Sequence, residues 1–149
     1  MYLETAQYDK AVQCFEVVLD ADNLGSHIYY QIAEYYYYGK NADKPYYEKA
    51  MRYFQCAAEK NNTDAMSMLG DMYFHGAINQ DLNLAQQWYE KAARLGNAKS
   101  QYILGYFLEY GICGVVDYEA AKYWYEKAAA QGRLKDQEDM NQYNKSQDY

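Results

Sequence analysis

The string Trp88-Tyr89-Glu90-Lys91-Ala92-Ala93 returns as Trp124-Tyr125-Glu126-Lys127-Ala128-Ala129, 36 residues later. A looser copy, Tyr53-Phe54-Gln55-Cys56-Ala57-Ala58, stands 35 residues earlier. Recurrence at this interval is the mark of stacked helical hairpins, since one hairpin cannot bury its apolar face alone. Stability in such stacks is spread over neighbouring units, and their extended surfaces serve binding.

Two anchor series fix the register. Ala11, Ala50, Ala85 and Ala121 begin the ridge of each second helix, at intervals of 39, 35 and 36 residues. An aromatic follows four residues later (Phe15, Phe54, Tyr89, Tyr125), and a small or apolar residue three after that (Val18, Ala57, Ala92, Ala128). Those spacings share one helical face. The first helices carry Ile32-Ala33, Leu69-Gly70 and Leu104-Gly105, where the small residue lets the paired helix approach closely. Gly39, Gly76 and Gly111 suit left-handed C-terminal caps. Asp81 and Asp117 suit N-caps, and Pro45 suits a first helical turn.

The predicted layout is an orphan second helix over about 4–20. Hairpins follow at about 26–39 with 45–60, 63–75 with 82–95, and 98–110 with 118–131. This is an all-α right-handed superhelix of about three and a half repeats, filling residues 1–132. Residues 133–149 are strongly polar and are predicted to form a solvent-facing capping helix with a frayed end. An orphan second helix leaves an apolar flank uncovered. The sequence therefore favours a segment of a longer array, with self-association through exposed repeat ends as another way to cover that flank.

These residues resemble the Sel-one-like repeat (SLR) family, a relative of the tetratricopeptide repeats. The last copy matches the family pattern with Ser100, Leu104-Gly105, Gly111, Gly114-Val115, Asp117, Ala121, Trp124-Tyr125, Ala128-Ala129 and Gly132. The one before matches with Ala65, Leu69-Gly70, Tyr73, Gly76, Asp81, Ala85, Trp88-Tyr89, Ala92-Ala93 and Gly96. The first full copy departs at Ala33 and Tyr53, and the resemblance covers roughly residues 4–132. It implies a non-catalytic scaffold or adaptor for protein complexes. The disulfide carried in each repeat by some secreted members has no counterpart here.

Cys14, Cys56 and Cys113 form no CxxC pair and are read as reduced thiols of a cytoplasmic protein. No Cys/His pair has zinc-ligand spacing, and no metal or cofactor is expected. The net charge of −7 opposes binding to nucleic acid or anionic membrane. No apolar run reaches the roughly 20 residues of a membrane span.

Nor does the sequence point to catalysis. His27 and His75 lie on first helices of consecutive hairpins and read as polar residues of a solvated or groove-lining surface, with no carboxylate or cysteine at a helical offset to form a dyad. Gly111-Ile112-Cys113-Gly114 lacks the ending of a phosphate loop. Trp88 and Trp124 read as packing between hairpins, and the two Glu-Lys pairs as solvated surface.

First helices line the concave side of such stacks. Helical phase from the small-residue anchors puts Tyr30, Glu34, Tyr37 and Tyr38 in the groove, then Ser67, Asp71, Phe74 and His75, then Tyr102, Tyr106, Glu109 and Tyr110. Seven of the twelve are aromatic, three are acidic and none is Lys or Arg. Tyrosine offers a rigid ring and a hydroxyl at low entropic cost, and acids beside rings favour a cation. The expected guest is a protein or peptide bearing Lys or Arg. Two other functions stand beside it: a carbohydrate-binding module, and a regulatory segment of a longer enzyme or signalling protein. The competing reading of the tyrosines is that they pack between hairpins.

Overall fold

The structure, a computed structural model, describes residues 25–39 and 45–147 together with Lys10, Gln13 and Cys14, and side chains through Gly132. The described residues form six helices and no strand. They are α1 (Ser26–Tyr38), α2 (Tyr47–Glu59), α3 (Thr63–His75), α4 (Leu82–Arg94), α5 (Ala98–Tyr110) and α6 (Tyr118–Gln147). Each packs chiefly on its neighbours in sequence, so the chain is a solenoid of three antiparallel hairpins. Most of the expected helix over 4–20 lies outside the described residues.

The alanine and aromatic ridge of the second helices is what the hairpins bury. Ala50, Phe54 and Ala57 of α2 and Ala85, Tyr89 and Ala92 of α4 have almost no solvent exposure. The first helices are sandwiched, so they bury more of their circumference, including Tyr29, Ile32, Tyr35 and Tyr36 in α1. Trp88 packs against this core as expected. At the last hairpin Ala121 stays buried, but Tyr125 and Ala128 are only half-covered, because no further hairpin stacks on them.

Gly70 and Gly105 have a specific geometric task. A Cβ built on Gly70 would lie 2.6 Å from Cε1 of Tyr89, and one on Gly105 would lie 2.9 Å from the Tyr125 ring. Each glycine is a notch through which the ring of the paired helix crosses to the other side of the hairpin. Gly39, Gly76 and Gly111 close the first helices in the left-handed conformation, with φ of 64°, 68° and 60°.

Asp81 and Asp117 cap α4 and α6 through bonds from Leu84 N and Ala120 N, each 3.0 Å. Two further caps escaped the sequence reading. Asn62 Oδ1 accepts from Ala65 N and Asn97 Oδ1 from Ser100 N, both at 2.9 Å. Asn97 also donates to Asp64 Oδ1 at 3.1 Å, tying the start of α5 to the start of α3.

Two expectations change. Pro45 precedes the N-cap Tyr46 and is not in the first turn of α2. Tyr46 N donates to Tyr36 O at 2.9 Å, and this bond to α1 sets where α2 starts. The second change is at α6, which continues unbroken to Gln147 where a break near 131 was predicted. The corresponding Gly96 has φ of 96° and ends α4, whereas Gly132 is not among the positive-φ glycines. After Gly132 come strong helix formers such as Leu134, Lys135 and Glu138, which carry the helix onward.

Candidate docking groove

The exposed row on α5 is the most open part of the predicted groove. Tyr102, Tyr106 and Tyr110 are spaced four apart and are 59%, 41% and 61% exposed. Tyr38 at the end of α1 is 58% exposed. Between α3 and α5 lies a cavity of about 490 Å³. Five of the predicted residues line it: Asp71, Phe74, His75, Tyr102 and Tyr106, together with Tyr89, Lys99, Ile103 and Phe107. Phe74 forms its floor against Phe107, with ring centroids 5.6 Å apart.

The remaining predicted residues are less available. Tyr30 and Tyr37 are half-buried and lean on Phe54, at centroid distances of 5.6 and 6.2 Å. Ser67 is only 3% exposed, and its Oγ has no hydrogen-bond partner among the described residues. Glu109 instead lines a second cavity of about 360 Å³ beside α6, with Tyr118, Ala121 and Tyr125.

The three acids share a structural duty. Tyr89 Oη donates to Asp71 Oδ1 at 2.6 Å, and Tyr125 Oη to Glu109 Oε2 at 2.7 Å. Tyr30 donates to Glu34. In the last two hairpins the ring passes through the glycine notch and its hydroxyl emerges on a carboxylate of the first helix. Burial raises the phenol pKa of Tyr89, and the bond to Asp71 and its negative charge push it further. Tyr30 and Tyr125 are raised for the same reasons, burial first. These phenols therefore stay protonated and remain donors.

The groove also contains a cation that the phase rule missed. Lys99 Nζ lies 2.5 Å from Asp71 Oδ2. Lys99 stands in the first turn of α5, three before Tyr102 and seven before Tyr106, and that spacing would have placed it on the same face.

One histidine needs correction. His27 is the second residue of α1 and His75 the last of α3, so they mark opposite ends of their helices. His75 does have a carboxylate at a helical offset, because Asp71 precedes it by four. That carboxylate is engaged by Tyr89 and Lys99. No group of three or more metal-ligating side chains occurs among the described residues. Cys113 donates to Leu82 O at 3.2 Å, and burial pushes its thiol pKa up. No helix among the described residues is long and apolar enough to cross a membrane.

The Sel1 repeat family profile matches residues 26–62, 63–97 and 98–132, one match for each hairpin. This chain belongs to the Sel1 repeat family. A Sel1 repeat protein from Oxalobacter formigenes superposes with a TM-score of 0.70 at 32% identity, covering 89% of this chain and 98% of that one. A protective antigen of uropathogenic Escherichia coli displaying an SLR fold superposes with a TM-score of 0.65 at 31% identity, over 72% of this chain and 23% of that one. Among curated proteins, chitin synthase regulatory factor 1 of Schizosaccharomyces pombe is 33% identical over 89 residues. Human protein sel-1 homolog 2 is 38% identical over 65 residues. These stretches cover 58% and 43% of this Sel1 repeat chain but only 20% and 9% of the two relatives. Sel1 repeat proteins generally act as scaffolds for protein interaction and are typically non-catalytic.

Proposed function

We propose that this chain is a non-catalytic docking scaffold whose concave face holds a peptide segment of a protein partner. The observation that carries this reading is the exposed tyrosine row on α5 beside the 490 Å³ cavity. Large rings standing in water next to an aromatic-floored cavity gain by being covered, and tyrosine loses little conformational freedom when it is. The negative net charge and the acids of the first helices favour a guest carrying Lys or Arg.

The test is a peptide-display selection with wild type and a Tyr102→Ala, Tyr106→Ala double variant. Tyr37 is unsuitable for this comparison, because its packing on Phe54 makes it part of the core. The selected peptides are expected to be enriched in Lys or Arg beside apolar residues. The double variant is expected to bind them about tenfold more weakly, with a melting temperature close to the parent's. Weakening with added salt supports a charged guest. Equal binding by the double variant overturns the proposal, as does salt-insensitive capture of glycans alone.

A further inference from the structure

Among the described residues, Asp71 is the one acid of the groove that forms a salt bridge with a cation of its own chain. Its side chain is only 16% exposed, one oxygen is tied to Tyr89, and the other faces the cavity and meets Lys99. Lys99 is the opposite kind of partner. It is 56% exposed, and Asp71 is its one salt-bridge partner among the described residues. An exposed ammonium on a flexible stem gains little from such a pair. The fixed parts of the site are thus a partly covered carboxylate held by Tyr89 and the rings around it, and the movable part is the lysine.

We propose that Asp71 is the anchor for an arginine side chain of the docked peptide and that Lys99 is a built-in competitor for that anchor. The inference rests on the docking reading above and names its contact point. A guanidinium is planar, so it can donate to Asp71 Oδ2 while lying flat against Tyr102 or Tyr106. The compact, strongly hydrated ammonium of a guest lysine adds nothing that Lys99 does not already supply. Competition from Lys99 lowers the affinity of every cationic guest by one common factor, and the added ring contact of the guanidinium is what favours arginine.

The test uses N-acetyl-arginine methylamide as probe, titrated into the whole chain and followed by the amide NMR shifts of α3 and α5. N-acetyl-lysine methylamide and the neutral isostere N-acetyl-citrulline methylamide serve as comparisons. Lys99→Met is expected to tighten the arginine probe about threefold, the size of an exposed ion pair removed from competition. It is expected to tighten the weaker lysine probe by the same factor and to leave the citrulline probe unchanged. Asp71→Asn is expected to abolish the arginine response, and the retained thermal transition of Lys99→Met keeps the test independent of any folding defect in that second variant. Unchanged or weaker arginine binding by Lys99→Met overturns the inference, as does preference for N-acetyl-glutamate methylamide that depends on Lys99. Failure of the arginine probe while displayed peptides still need Tyr102 and Tyr106 overturns the anchor alone. Loss of both overturns the docking reading too.

Discussion

Glycine, tyrosine and acid act as one unit at Gly70, Tyr89 and Asp71. The hydroxyl bond at 2.6 Å pins the ring where a Cβ on residue 70 would stand. In the first hairpin the corresponding places are taken by Ala33 and Phe54, and a ring without a hydroxyl has no such tether. Gly70→Ala is therefore expected to destabilise by about 1–3 kcal/mol through overpacking, despite the ~1 kcal/mol that Ala gains over Gly in a helix. In a Tyr89→Phe background the same change should cost less, because the freed ring can shift. Urea unfolding of the four-member cycle measures this, and additive losses would refute the coupling. Ser100 gives a change of opposite sign. Its Oγ is buried with no hydrogen-bond partner among the described residues, and Ala65 holds the same place one repeat earlier. Ser100→Ala is expected to stabilise by about 1 kcal/mol, read from the urea midpoint, since it removes a desolvated hydroxyl.

Helix ends are where neighbouring hairpins are tied together. The Asn62 side chain caps α3, while that of Asn97 caps α5 and also reaches Asp64. Asn62→Ala is expected to cost about 1 kcal/mol, and Asn97→Ala roughly 0.5–1 kcal/mol more for the lost bond between repeats. Equal losses in urea unfolding would show that the bond to Asp64 contributes nothing. The pairing of helices was legible in sequence because alanine and ring spacings encode it directly, and five helices fall within about two residues of expectation. The caps Asn62 and Asn97 were legible too, 35 residues apart, but the anchor series passed them over. The groove was legible only in part. Phase from Gly105 found the open row Tyr102, Tyr106 and Tyr110, yet it could not tell that Ser67 and Tyr30 are covered by packing between helices. Nor did it show that Asp71 and Glu109 would be claimed by the hydroxyls of Tyr89 and Tyr125, since those bonds cross from one helix to another.

Phenols wholly or partly covered by packing give the whole molecule a shared response to alkali. Tyr30 and Tyr37 in the first hairpin, Tyr89 in the second and Tyr125 in the third all have pKa values raised above the ordinary tyrosine value, burial being the leading cause. Below about pH 10 both folded and unfolded chains keep these protons, so nothing changes. Above it the unfolded chain releases protons that the folded chain retains, and stability falls as pH rises. Because the four residues lie in all three hairpins, and neighbouring hairpins share their cores, the loss is expected as one cooperative transition. Urea midpoints measured from neutral pH upward should stay level and then decline beyond about pH 10. The Tyr89→Phe, Tyr125→Phe double variant should start lower at neutral pH, having lost two hydrogen bonds, but decline less steeply in alkali. Ionisation of exposed tyrosines adds general charge repulsion to both proteins alike, so the comparison isolates Tyr89 and Tyr125. A double variant that declines as steeply as its parent would show that the two phenols titrate as they do in the unfolded chain, and that the hydroxyls crossing the glycine notches are not held from water.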